Sequence, residues 1–379
     1  MNWEYVTLDK LGSISRGRSK HRPRNDKILF GGKYPFIQTA DIKASGLYLT
    51  SYTETYNERG LEQSKLWPQG TLCITIAANI ADTSILGIDA CFPDSIMGFL
   101  PYEGVSNVKF IKYAFDILQR GCKQISQGTA QDNLSWKKLS TIKFPAPPIE
   151  IQNRIVAVLG AYDDLIENNK KQIELLEETA QRLYKEWFVD LHFPGYENIE
   201  IVEGLPEGWN ITNVGELGLF LRGTTITKKD AKPGTIPVVA GGVMPAYFHN
   251  KSNTNCPVIT ISASGNAGYV NVYYSKIWAS DCSYLDKTMS DYFYYIVCSM
   301  KNRQIEIYSL QHGAAQQHVN ANQINELKIF KPTKEIFSMF NEMVEPIFEE
   351  IAILEKKIDY LREARDRLLP KLMNGEIEL

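Results

Sequence analysis

The sequence predicts an α+β chain: two pseudo-symmetric α/β domains separated by two long antiparallel helices that form a coiled coil. Three observations predict this. Trp3, Leu11, Gly12, Arg16 and Gly17 recur as Trp209, Leu217, Gly218, Arg222 and Gly223 at an offset of 206 residues. Gly128, Ala130 and Gln131 return as Gly313, Ala315 and Gln316, and Ile173, Leu176 and Leu183 return as Ile358, Leu361 and Leu368, now at an offset of 185. A stretch with strand-like runs followed by a stretch with helical periodicity thus occurs twice, and a long-period repeat of this kind sets the fold. The drift in offset, 21 residues, means that the first copy carries about that many extra residues between its matching ends.

Each element follows from local pattern. Pro35-Phe36-Ile37, Leu72 to Ile76 and Val258 to Ile261 are β-branched or aromatic runs bounded by Gly, Pro, Asn and Ser, as strands are. Helices are expected near Phe110 to Leu118 and Asp291 to Met300, which makes each globular stretch a compact α+β domain. From Ile149 a seam steps by three and four through Ile151, Ile155, Val158, Tyr162, Leu165, Asn169, Ile173, Leu176, Ala180, Leu183 and Trp187. Two successive steps of four near Asn169 form a stutter that locally unwinds a supercoil. From Phe337 a strict heptad seam runs through Phe340, Val344, Ile347, Ile351, Leu354, Ile358, Leu361, Arg365, Leu368 and Leu372. Pro346 should kink that helix, because it has no N–H for the carbonyl of Glu342. The residues expected to join the pair are Ile155, Tyr162, Ile173, Leu176 and Leu183 with Ile351, Leu354, Ile358, Leu361 and Leu368. The domain boundaries read 1–145, 146–201, 202–331 and 332–379.

A length of 379 residues exceeds one ordinary core, and a hydrophobic content of 44% supports full folding. No apolar run has the length of a membrane span, and Met1 to Lys10 lacks the pattern of a signal peptide, so the expected location is the cytoplasm. The six cysteines form no CxxC pair and the five histidines no metal-ligand spacing, which argues against zinc and a disulfide framework. The net charge of −3 averages opposites: +5 over residues 1–145 and +2 over 202–331, against −6 over 146–201 and −4 over 332–379. Basic globular stretches suit a polyanion, and acidic helices suit solvent or protein, with Glu174, Glu178 and Glu355 as candidate partner-docking positions. Helices of about 40 residues span roughly 60 Å, against roughly 34 Å for a turn of B-DNA. A DNA target of such a chain would be split.

The densest basic element holds Arg16, Arg18, Lys20, Arg22 and Arg24, and its repeat holds Arg222, Thr224, Thr225, Lys228 and Lys229. Arginine donates two hydrogen bonds to guanine or clamps phosphate, and Gly17 or Gly223 lets a backbone approach closely. The competing reading is a solvated loop. Gln131 and Gln316, each in a small-residue turn, either bond adenine or satisfy buried backbone groups; both readings stand. Tyr269, Tyr273, Tyr274, Tyr284, Tyr292, Tyr294 and Tyr295 read as core and half-buried sheet before they read as base-stacking platforms.

The segments Phe144-Pro-Ala-Pro-Pro-Ile-Glu-Ile-Gln152, Ile166-Glu-Asn-Asn169 and Tyr184-Lys-Glu-Trp-Phe188 resemble the central conserved region of the specificity subunits of Type I restriction–modification systems. Leu205-Pro-Glu-Gly-Trp209 resembles the opening of that family's second target-recognition domain, and Leu361 to Glu376 its C-terminal conserved region. The resemblance covers the whole chain. Two departures stand out: Phe337 replaces Gln152 at the start of the second helix, and no Leu-Pro-x-Gly lead precedes Trp3. The resemblance implies two target-recognition domains, each reading half of a bipartite site in double-stranded DNA. It implies paired helices that set the spacing and carry two modification (methyltransferase) subunits, with restriction (translocase and nuclease) subunits joining them.

Enzyme readings find little support. The chain has no phosphate loop and no dinucleotide turn, and Ala146-Pro147-Pro148-Ile149 is not the Pro-Pro-aromatic motif of adenine methyltransferases. Glu326-Leu327-Lys328 has a nuclease-like spacing without a partnered upstream carboxylate. No cofactor or metal is expected in this chain; S-adenosylmethionine is expected in the partner methyltransferase subunit. The alternative from another class is a non-catalytic scaffold whose two domains bind proteins or glycans.

Overall fold

The computed structural model describes residues 3–76, 82–125, 136–312 and 317–379. The chain forms two units: Met1–Glu167 with Asp359–Leu379, and Asn168–Ile358. Each unit holds a main sheet, a smaller sheet and a two-stranded ribbon, and the three recur in the same topology.

In the first unit the main sheet is built from β1 (Gly12–Arg16), β2 (Leu72–Thr75), β3 (Thr83–Leu86) and β4 (Ile96–Pro101), ordered β1-β4-β2-β3 with all neighbours antiparallel. In the second unit β5 (Leu221–Arg222), β6 (Val258–Ser262), β7 (Val270–Tyr273) and β8 (Cys282–Asp286) take the corresponding order β5-β8-β6-β7. The smaller sheets match as well. Phe30–Phe36 pairs antiparallel with Glu54–Tyr56 and parallel with Ala90–Cys91, as Ile236–Val239 pairs with Tyr247–His249 and Trp278–Ala279. The ribbons, Tyr5–Thr7 with Lys143–Pro145 and Asn210–Asn213 with Lys328–Lys331, carry the two offsets at their two ends. Most of the extra residues of the first copy fall between Phe36 and Leu72. They include two short helices, Thr39–Ala44 and Glu58–Glu62, and the strand Tyr48–Leu49, which pairs parallel with β3 as a fifth strand.

One helix crosses each main sheet: α1 (Val108–Ile125) in the first unit and, after the long helix α2 (Ile149–Phe188), α3 (Phe293–Asn302) in the second. The last helix, α4 (Lys334–Met373), is as long as α2 at 40 residues and runs unbroken through Pro346, so the expected kink site does not end it. Ile155 and Leu159 of α2 with Leu369, Leu372 and Met373 of α4 join Phe99, Phe110 and Phe115 in the first core. Tyr184, Trp187 and Phe188 of α2 with Phe340, Val344 and Phe348 of α4 join Ile259, Leu285 and Tyr295 in the second. Aromatic rings dominate this second core, with Phe188 and Phe340 edge to face at 4.8 Å. Tyr274, Tyr294 and Tyr295 are buried in it and the other four tyrosines of that stretch are half-buried, which is the core reading of the sequence.

Ile155, Ile351, Leu354 and Ile358 are buried, while Tyr162, Ile173, Leu176, Leu183, Leu361 and Leu368 are half-buried. Leu165, expected in the seam, is 51% exposed, and its neighbour Ile166 is 3% exposed in its place. The reason is that this half of α2 packs on α1 as well as on α4. Its buried face runs Gln152, Ile155, Leu159, Asp163 and Ile166, a phase set by both neighbours. Asp163 lies at the centre: Tyr113 of α1 donates to it at 2.6 Å and Arg365 of α4 at 2.5 Å. Arg154 donates to the Leu379 carbonyl at 3.0 Å, which with the Asp163–Arg365 pair gives an antiparallel register. Burial and the adjacent Asp163 charge push the Tyr113 phenol up, and Asp163 and Asp366 hold Arg365 charged.

Gln152 and its replacement are both accounted for. The Gln152 side chain accepts from the Asn107 amide at 3.0 Å and donates to the Val105 and Pro147 carbonyls at 2.9 Å, tying the start of α2 to the loop before α1. Asn107 and Gln152 correspond to Tyr292 and Phe337, whose rings lie 4.2 Å apart. The polar tie and the ring pair exchange together.

Removing Asp163 leaves the Arg365 cation and the Tyr113 hydroxyl without their carboxylate. Asp163→Ala is expected to lose about 3 kcal/mol of stability in urea unfolding of the chain, with Asp163→Asn losing less. An Ala variant of wild-type stability would show that the pair has no structural role.

Candidate nucleic-acid interface

The two basic segments leave the main sheets at the same topological point. Arg16 ends β1 opposite Met97, and Arg222 ends β5 opposite Ser283. The next residue is glycine in both. The Gly17 amide donates to the Ile96 carbonyl at 2.8 Å and the Arg18 amide to Phe92 at 3.0 Å. The Gly223 amide donates to Cys282 at 2.8 Å and the Thr224 amide to Ala279 at 2.9 Å. A Cβ at Gly17 would lie 2.4 Å from the carbonyl oxygens of Phe92 and Pro93, and one at Gly223 would lie 2.4 Å from that of Ser280. The close approach that these glycines permit is to the protein's own backbone.

Beyond Gly17 the loop is held by the backbone and by a few side chains. Ser64 donates to the Arg18 carbonyl at 2.8 Å, and the Gln63 side chain accepts from the amides of Lys20 at 2.7 Å and His21 at 3.1 Å. Arg22 curls back to donate to the Ser19 and His21 carbonyls, at 2.7 and 2.8 Å. Arg24 pairs with Asp94 at 2.6 Å. His21 beside Asp26 holds that carboxyl below its ordinary range. Of the five cations expected to act together, Arg16, Arg18 and Lys20 are exposed with no acidic partner among the described residues. Arg22 and Arg24 have internal partners.

The second segment is held differently. Trp278 donates to the Thr224 carbonyl at 2.8 Å, Tyr247 donates to the Ile226 carbonyl, and Thr227 donates to Asp230 at 2.5 Å. Arg222, Thr224, Thr225, Lys228 and Lys229 are exposed. Arg222 opens onto a cleft of about 170 Å³ lined also by Asp281, Ser283, His312 and His318. Ser264 donates to Asp281 at its wall, and the backbones of His312 and His318 bond each other in both directions. The sequence reading missed Asp281 and the two histidines, which share no spacing with Arg222; only the folded chain brings them to one cleft. Gln131 and Gln316 lie outside the described residues.

Burial pushes the Cys91 thiol up to about 11 and Cys282 up to about 12, and raises Cys73 and Cys298 further, so these buried thiols stay protonated. Cys256 is exposed. Among the described residues no cluster of His, Cys, Asp and Glu has a metal-binding arrangement, and no helix is long and apolar enough to cross a membrane.

The family described as the Type I restriction modification DNA specificity domain matches residues 1–178 and 206–362, once over each copy of the repeat. The chain belongs to this family. It is similar to the Type I restriction enzyme MjaIX specificity subunit of Methanocaldococcus jannaschii, at 26% identity over 411 aligned residues that cover 100% of this chain and 94% of the relative. It is also similar to the HindI specificity subunit of Haemophilus influenzae, at 23% identity over 64% of this chain and 71% of that one. In fold it resembles the crystal structure of a Type I system S subunit from M. genitalium, with a TM-score of 0.54 at 18% identity, covering 98% of this chain and 96% of that one. The chain is a specificity subunit: its part is recognition of a DNA target, without catalysis of its own.

The tight packing around the two glycines sets a direct expectation. Gly17→Ala and Gly223→Ala should each destabilise the chain by about 1–3 kcal/mol through overpacking, read as a lowered urea midpoint. A midpoint equal to wild type would show that the loop can shift to admit a side chain and is not locked to the sheet.

Proposed function

We propose that each unit reads one half of a split site in double-stranded DNA, and that α2 and α4 carry two modification subunits, to which restriction subunits attach. The recognition domains of this reading span residues 1–145 and 202–331, and the helical regions 146–201 and 332–379. The observation that carries it is a single arrangement made twice: an arginine at the end of an edge strand, a glycine locked against the sheet, then an exposed basic or hydroxyl-rich loop. Arg16, Arg18 and Lys20 in the first unit and Arg222, Thr224, Thr225, Lys228 and Lys229 in the second are the contacts to phosphate and base edges. Gln131 and Gln316 remain candidates for adenine. Arg22 and Arg24 shape the first loop. Adenine cannot be methylated within the stack, so the modification subunit flips it and brings S-adenosylmethionine, and this chain supplies the address. The complex works in the cytoplasm.

Replacing Arg16, Arg18 and Lys20 with Ala in the assembled complex is expected to weaken DNA binding. It should also flatten the dependence of log affinity on log salt by about 0.9 for each phosphate that is no longer neutralised. Arg24→Ala, whose charge faces Asp94, should leave the slope nearly unchanged. An unaltered slope in the triple variant would remove this segment from the interface.

The decisive measurement is a genome-wide map of N6-methyladenine in cells that express this chain with its modification subunit, against cells lacking only this chain. A new split motif with a fixed spacer is the expected result. A stable complex with no new methylation would instead favour the scaffold that binds proteins or glycans.

A further inference from the structure

Ser95 in the first unit and Asp281 in the second occupy one structural position. Met97 lies opposite both Arg16 and Ile74, and Ser283 lies opposite both Arg222 and Ile261. One step beyond, the Ile76 amide donates to the Ser95 carbonyl at 3.0 Å and the Ala263 amide to the Asp281 carbonyl at 3.1 Å. The arginine at the strand end is thus common to both units, and the residue beside it differs.

Asp281 sits at a bend just before β8, two residues from Ser283, and lines the same cleft as Ser283 and Arg222. Arg222 and Asp281 form no ion pair, and both open into the same cleft. Ser264 holds one carboxylate oxygen of Asp281, which orients the group and leaves Oδ1 without a donor among the described residues. A carboxylate repels phosphate, so its place beside an unpaired arginine suits a base edge. An ionised carboxylate only accepts hydrogen bonds. In the major groove the matching donors are the amino groups at cytosine N4 and adenine N6.

We infer that Asp281 is a specificity-determining residue of the second unit, accepting a hydrogen bond from the exocyclic amino group of a cytosine or adenine in its half-site, next to the contact made by Arg222. Ser95 gives the first unit a neutral group that both donates and accepts at the same place, so the two half-sites are read differently there. The inference rests on the DNA-recognition reading above.

The test selects duplexes from a pool randomised across the site, using the assembled modification complex with wild-type chain, Asp281→Ser or Asp281→Ala. The wild-type complex is expected to select a split motif with cytosine or adenine at one position of one half. Both variants should lower that preference about tenfold or more and leave the other half unchanged. If Asp281→Ser fails to assemble, Asp281→Ala, which also removes the acceptor, carries the test. Assembled variants that select the wild-type motif at every position would overturn the assignment. A wild-type complex that selects no motif would overturn the reading beneath it instead.

Discussion

The packing of the first unit turns on one buried carboxylate. Asp163 joins three helices, accepting from Tyr113 of α1 and from Arg365 of α4. The corresponding positions in the second unit are Cys298, Ala180 and Phe348, all buried in its apolar core. A duplicated chain faces a problem of self-recognition, because each half of α2 resembles a segment of α4 and each domain resembles the other. A polar trio in one copy and an apolar trio in the other removes the degeneracy. Pairing the wrong helix halves would leave Asp163 against apolar side chains, a cost of several kcal/mol for an uncompensated buried charge.

On this frame the two basic segments after Arg16 and Arg222 are positioned by backbone more than by side chains. The amides after Arg16 and Arg222 bond the neighbouring strand in both units, and the glycines at 17 and 223 allow an approach that no Cβ would fit. The arginine side chains therefore start from fixed points. What lies around them is free to differ: Arg24–Asp94 closes one loop, whereas Trp278 and Tyr247 pin the other. A constant anchor with variable surroundings suits the proposed reading of two unlike half-sites.

Much of this was legible in the sequence. The repeat offsets of 206 and 185 located strands that the structure pairs identically, and the apolar stepping located both 40-residue helices. The phase of the first helix was not legible at Leu165, because periodicity along one helix does not reveal that two neighbours share its face. Arg22 and Arg24 looked equivalent to Arg16, Arg18 and Lys20, since a run of cations carries no mark of which members find partners in the fold. Asp281 was invisible for a similar reason. Its neighbour Arg222 is 59 positions away along the chain and adjacent only through β5 and β8.

The second unit is a continuous stretch, Asn168–Ile358, whereas the first is completed only by Asp359–Leu379. Leu369, Leu372 and Met373 enter the first core, and Arg365 neutralises its buried carboxylate. During synthesis the half that emerges first therefore waits, unfinished, until this late segment leaves the ribosome, and the half made later can close before it. A stop codon placed shortly after Ile358 would damage the domain that was translated first and spare the one translated second.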